Sequence, residues 1–282
     1  MPHEFESRRD RLLEILRGYG RVAVAFSAGV DSTVVAQAAQ IACGDKAIAI
    51  TAVSPSLASG EREVAVQLAS QIGIRHQLIE TQELSNGDYL KNPPNRCYFC
   101  KTELYSRLES LAARLQFDVI VNGANLDDLG DYRPGMQAAG EHRVCSPLVE
   151  AGFTKENVRE LARAWQLPNC EKPASPCLSS RLAYGVEVTP ERLARVDQAE
   201  IWLRGALGLA ELRVRHEAHD LARVEVPCDA LSRFLDPALR QRVAEKLRAL
   251  GFKYVTLDLD GFRSGSMNAG VDLVQIVAVR ND

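Results

Sequence analysis

Two groups of residues in this sequence have types and spacings suited to chemistry. The first is Ala25-Phe26-Ser27-Ala28-Gly29-Val30-Asp31-Ser32-Thr33, which follows directly on the short apolar run Arg21 to Phe26. Small side chains let backbone N–H groups close around an anion, and a helix starting here adds the positive end of its dipole. Ser27 and Ser32 can donate hydroxyl hydrogen bonds to phosphate oxygens. Asp31 does not favour bare phosphate, so it reads as a Mg2+ ligand or a loop-orienting group. The run has neither a Gly-Lys-Ser/Thr ending nor a complete G-x-G-x-x-G, which argues against the two commonest phosphate-loop classes. A plain strand-to-helix turn with small packing residues is the alternative.

The second group is Cys97-Tyr98-Phe99-Cys100, a C-x-x-C unit placed just before a predicted helix, with Cys177 in Ala174-Ser-Pro-Cys-Leu-Ser-Ser-Arg181 as a third thiol. Two thiolates at this spacing can share a metal or form a redox disulfide, and a third makes an incomplete tetrahedral site. A 4Fe-4S cluster held by only three cysteines keeps one iron open to sulfide or substrate, which suits sulfur delivery. Redox or sacrificial thiol chemistry and a purely structural role stand beside that reading. Cys43, Cys145, Cys170 and Cys228 are isolated and read as small core residues.

These groups need a scaffold. The apolar run at Arg21 to Phe26 predicts a buried parallel strand, followed by a helix from Ser32. Strands near Lys46 to Val53, Arg75 to Glu80 and Asp118 to Asn122 then alternate with helices near Ala58 to Ile72 and Thr102 to Gln116. That alternation predicts an α/β fold, a doubly wound parallel sheet, with ligands beyond the carboxyl ends of the strands. Thr51 at the end of the second strand and Gly123 in Asn122-Gly-Ala-Asn125 should therefore face the same crevice as Ser27. Asp127, Asp128, Asp131 and Arg133 crowd the next loop and offer metal or substrate contacts. The cluster of Pro, Gly and Asn from Asn86 to Asn95 predicts a loop.

After residue 185 or so the pattern changes to helix, strand, strand, helix, strand. Thr189-Pro190-Glu191 supplies an N-cap, a first-position proline and an acid in the first turn. We place a large domain at residues 1–185 and a smaller α+β domain at 186–282.

The chain has 282 residues, 34 Lys plus Arg against 37 Asp plus Glu, and a net charge of −3. This balance lacks the broad basic surface of a protein that grips long nucleic acid, so no nucleic-acid partner is expected. No apolar run approaches a membrane span, and the first residues lack the pattern of a secretory signal. The expected setting is the cytoplasm, where seven cysteines stay thiols or metal ligands.

Ser27 to Ser32 resembles the SGGxDS signature of PP-loop ATP pyrophosphatases, with Ala28 where glycine is usual. Members of that class bind ATP at this turn, release pyrophosphate and transfer AMP. If position 28 takes a positive φ, the alanine is strained. Together with Cys97-Tyr-Phe-Cys100, Asp131-Tyr-Arg-Pro-Gly135, Pro176-Cys-Leu-Ser-Ser-Arg181, Arg213-Val-Arg215 and Gly261-Phe-Arg-Ser-Gly265, the sequence resembles the LarE family over nearly its whole length. The resemblance implies a sulfur transferase acting on a small nucleotide, pyridinium-3,5-biscarboxylic acid mononucleotide, whose carboxylates are adenylated by ATP with Mg2+ and become thiocarboxylates. It implies nucleotide contacts from Ala25, Phe26, Ser27, Ala28, Gly29, Asp31, Ser32, Thr51 and Gly123.

By the same resemblance Arg213 and Arg215 clamp the substrate phosphate, Arg133, Arg181 and Arg263 assist, and Glu200 is a site carboxylate acting with Cys177 and Asp31. Arginine forks suit phosphate and carboxylate. For Arg213 and Arg215 the alternative is the solvent face of a strand. Cysteine at positions 97, 100 and 177 implies the cluster-bearing variant with a sulfide donor, and the family implies a homo-oligomer. A PP-loop tRNA thiolase, an ammonia-fed synthetase and a nucleotide-sensing iron–sulfur regulator are the rival readings.

Overall fold

A computed structural model describes residues 2–130 and 134–263. Its opening stretch alternates helix and strand: α1 (Pro2–Tyr19), β1 (Val22–Ala25), α2 (Val30–Cys43), β2 (Ala47–Val53), α3 (Glu61–Ile72) and β3 (Arg75–Glu80). The single turn α4 (Gly87–Leu90) precedes α5 (Arg96–Leu115), β4 (Val119–Val121), α6 (Pro134–Glu141), α7 (Pro147–Glu150) and α8 (Lys155–Ala164). Then come α9 (Pro190–Leu207), β5 (Arg213–Glu217), β6 (Leu221–Glu225), α10 (Pro237–Ala249) and β7 (Tyr254–Leu257). Two compact units result, Met1–Glu83 with Cys97–Ser175 and Leu84–Arg96 with Pro176–Asp282.

In the first unit the strands lie in the order β3-β2-β1-β4, and every pair is parallel. The strand sequences are apolar at successive positions because both faces are covered. Val22 and Val24 pack into a core with Leu12, Leu16, Val34 and Leu161, whereas Ala23 joins Ile48, Ile50, Leu108 and Ile120 in a second core. The sheet is thus doubly wound. The chain steps outward from β1 through β2 to β3, then returns to place β4 on the other side of β1. That reversal makes the carboxyl ends of β1 and β4 a topological switch point, where open α/β sheets bind ligands.

The local signals explain the helix boundaries. Gly73 takes φ 77° and caps α3 by donating its N–H to the carbonyls of Ala69 and Ser70. Thr154 and Asn157 form a reciprocal capping box at the start of α8. The helix expected from Thr102 instead begins at Arg96, whose N–H donates to the Pro93 carbonyl at 2.9 Å. Cys97 and Cys100 therefore lie inside the start of α5, not before it. The segment read as a loop from Asn86 contains α4, capped by the Asn86 side chain on the N–H groups of Asp88 and Tyr89.

The second unit holds a three-stranded sheet in the order β5-β6-β7, with β5 and β6 antiparallel and β6 and β7 parallel. Thr189 caps α9 through its side chain on the Arg192 N–H, with Pro190 at the first helical position. Asp236 and Pro237 repeat the arrangement at α10. In β5 the residues from Arg213 to His216 are all buried, so neither face of this strand is a solvent face.

Candidate functional site

The turn between β1 and α2 is built from within. Gly29 occupies the N-cap position of α2 without a side-chain cap, so the helix presents first-turn N–H groups that its own ladder does not satisfy. Ser32 Oγ donates to the Gly29 carbonyl at 3.1 Å and lies 3.1 Å from Ser27 Oγ, and Thr33 Oγ1 donates to the Gly29 carbonyl at 2.8 Å. Gly123, just beyond β4, packs so closely that a Cβ there would sit 2.7 Å from Ser32 N. Only a residue without a side chain lets the two strand ends meet the start of α2. Ala28 is buried at φ 57°, a left-handed conformation. An L-residue there is strained by about 1–2 kcal/mol.

Thr51 lies beneath this turn. Its buried hydroxyl donates to the Phe26 carbonyl at 2.8 Å and lies 2.9 Å from His76 Nε2. With that one proton committed to Phe26, the hydroxyl accepts from the ring, so His76 carries its hydrogen on Nε2. Burial lowers the His76 pKa below its ordinary value, keeping the ring neutral. Phe26 meets the same ring edge to face.

Asp31, in the first turn of α2, receives a hydrogen bond from Asn125 Nδ2 and pairs with Lys155 Nζ. Lys155 opens α8, and its backbone N–H is held by Asp127 at 2.7 Å, while Asp128 accepts from the Asn125 N–H at 3.0 Å. The acidic loop is thus largely a turn-capping device that aims Asn125 and Lys155 at Asp31. Asp131 and Arg133 lie outside the described residues. Sequence reasoning missed Lys155, since only the fold brings the start of α8 to the start of α2. Asn169 was missed for the same reason; its Nδ2 donates to the Ala28 carbonyl and to Thr33 Oγ1.

A separate cluster of charge is buried in the second unit. Arg181 and Glu200 are each about 1% exposed and paired, with Arg181 Nε donating to Glu200 Oε1 at 3.0 Å. Glu200 also accepts from Arg204 at 2.6 Å and from the Val214 N–H at 3.2 Å. Arg181 Nη1 donates to the carbonyls of Pro176 and Cys177, which fixes the backbone on which Cys177 stands. Arg215 donates twice to Glu225 and once to the Ser180 carbonyl. Arg223 then holds the other oxygen of Glu225, with further bonds to Glu217 and Asp258.

Arg213 sits over the Phe262 ring, 5.1 Å from its centroid. Burial, and then the cations Arg181, Arg204 and Arg215 against the opposing pull of Glu200, bring its pKa down to about 10. At neutral pH the guanidinium keeps its charge. Arg263 is exposed and pairs with Asp260 at 2.8 Å. Cys97 and Cys177 are exposed and Cys100 is half-buried, and none of the three is in a disulfide. Soft thiol donors suit an iron centre. Among the described residues, however, no three His, Cys, Asp or Glu side chains gather as a metal site.

A parallel sheet with this uncapped, glycine-flanked turn at its switch point defines an α/β nucleotide-binding protein of the PP-loop class. No family model matches the chain. An uncharacterized protein of Synechocystis sp. is 46% identical over 93% of this chain and 97% of its own length. Pyridinium-3,5-bisthiocarboxylic acid mononucleotide synthase of Lactiplantibacillus plantarum is 39% identical over 96% of this chain and 97% of its own. More distantly, one subunit of the glutamine-hydrolyzing GMP synthase of Thermococcus kodakarensis is 25% identical over 93% of this chain and 86% of its own. The chain belongs to the LarE family, that of the Lactiplantibacillus plantarum synthase.

Proposed function

We propose that the protein is an ATP-dependent sulfur transferase that converts the carboxylates of pyridinium-3,5-biscarboxylic acid mononucleotide to thiocarboxylates. The observation that carries this reading is the turn after β1, where uncapped α2 amides, Ser27 and Ser32 converge at the switch point. Helix-terminal amides and hydroxyls hold the phosphates of ATP, with Ala25, Phe26, Ala28 and Gly29 shaping the turn and Thr51 and Gly123 supporting it. Asp31 and Lys155 supply one carboxylate and one cation beside those phosphates, and Mg2+ enters with the nucleotide.

A substrate carboxylate oxygen attacks the α-phosphorus of ATP, and pyrophosphate leaves. The acyl carbon then carries AMP, a far better leaving group than oxide. A sulfur nucleophile adds to that carbon, and AMP departs with the carboxylate oxygen, leaving the thiocarboxylate. Preorganised donors stabilise the charge that develops on phosphate without reorganising at the moment of reaction.

In this proposal the Arg213 and Arg215 forks hold the substrate phosphate, while Glu200 and Arg181 fix the backbone at Cys177 and hold Arg204 in place. Cys97, Cys100 and Cys177 are the thiols that would hold a 4Fe-4S cluster, which when bound supplies sulfide at an open iron. None of the three is in a disulfide. Cysteines outside disulfides fit a cytoplasmic setting, and no described helix is long and apolar enough to cross a membrane.

The test is anaerobic turnover with ATP, Mg2+ and the dicarboxylate nucleotide. AMP and pyrophosphate should appear in equal amounts and only when that nucleotide is present. ATP hydrolysis to ADP, or AMP formation indifferent to the nucleotide, contradicts the proposal.

A further inference from the structure

We propose that Asn169 is a positioning residue that holds the nucleotide turn in the conformation glycine would adopt unaided. Ala28 stands at φ 57° with its side chain buried, so the turn does not favour this shape by itself. Asn169, which follows α8 and Leu167-Pro168, is itself buried. Its Nδ2 donates to the Ala28 carbonyl at 3.1 Å and to Thr33 Oγ1 at 2.9 Å. Thr33 passes the constraint on by donating to the Gly29 carbonyl at 2.8 Å. One amide therefore braces the carbonyls of both Ala28 and Gly29, one directly and one through a hydroxyl.

The orientation of that amide is fixed by chemistry. A carbonyl oxygen only accepts, so the nitrogen of the Asn169 side chain must face Ala28. The other end, Oδ1, is then buried and has no hydrogen-bond partner among the described residues. The backbone of Asn169 is anchored separately, its carbonyl accepting from the Lys172 N–H at 2.9 Å. The donor pair thus acts on the turn from a fixed point.

This inference rests on the turn being an ATP site, and the experiment separates the two. ATP affinity is measured by calorimetry, with Mg2+, for the wild-type chain, Asn169→Ala, Asn169→Asp, Ala28→Gly and the double variant A28G/N169A. Asn169→Asp keeps the shape and loses the donors. Both Asn169 variants should bind ATP about five- to tenfold more weakly, the equivalent of one positioning hydrogen bond. The double variant should return to within about twofold of Ala28→Gly alone, because glycine needs no brace.

A merely structural Asn169 would show no such selective rescue. Wild-type protein that binds no ATP refutes the nucleotide reading itself. Wild-type protein that binds ATP, with either Asn169 variant binding it equally well, refutes only the positioning role. Absence of rescue, or unfolding of both Asn169 variants, refutes it too.

Discussion

Glu200 shows how much a single residue's surroundings decide. Its carboxylate accepts from Arg181, Arg204 and the Val214 N–H while about 1% exposed. A buried charge that loses its partner is costly, typically about 3–5 kcal/mol. Glu200→Ala strands Arg181 in the interior, so urea unfolding should show a loss of that size. A loss under about 1 kcal/mol would mean that the pair is solvated and that the carboxylate is free for other work. Residue types and spacing alone made the turn at Ser27 legible. Lys155 and Asn169 were illegible, because a lysine and an asparagine on polar segments acquire meaning only from what lies across from them in space.

At the scale of elements, β1 to β3 and the helices between them were written in the sequence because apolar runs and 3.6-residue periodicity are strong there. The stretch from Leu126 to Ser175 was not. Its helices are short, and α6 and α7 open on proline, so the composition reads as loop. Yet α8 carries Lys155, and β4 leads into Gly123. Gly123 approaches the start of α2 so closely that a Cβ there would lie 2.7 Å from the Ser32 backbone nitrogen.

Backbone cannot yield as a flexible side chain can. Gly123→Ala should therefore lower stability by about 1–3 kcal/mol, the usual cost of overpacking, and weaken ATP binding by displacing the α2 amides. Unchanged unfolding and unchanged ATP affinity would show that the two strand ends do not meet there. The buried arginines of β5 illustrate the opposite limit. Alternating polar and apolar residues read as a half-exposed strand, whereas the structure buries Arg215 on Glu225 and the Ser180 carbonyl and Arg213 on the Leu212 carbonyl.

For the molecule as a whole, the half-buried His76 and the buried His216 contribute to the response to acid. Burial lowers the pKa of His76, and burial followed by the Arg195 charge lowers that of His216. Both are therefore neutral in the folded state at a pH where the unfolded chain, near the ordinary value of about 6.5, begins to take up protons. The stability they provide is complete above that value and is lost as pH falls below it toward their lowered folded values. Thermal melts should show a falling midpoint from about pH 7.5 to about pH 5.5, one unit either side of the ordinary value. A midpoint that holds steady or rises over this interval would contradict neutral rings in the folded state.

The proposed chemistry stands or falls on the fate of the substrate's oxygen. Anaerobic turnover with ATP and the dicarboxylate nucleotide, followed by mass spectrometry of the nucleotide product, reads it directly. The account predicts replacement of a carboxylate oxygen by sulfur, with one AMP formed per sulfur gained and the mass at Cys177 unchanged after several turnovers. A product that stays adenylated, gains nitrogen or keeps every oxygen would contradict it.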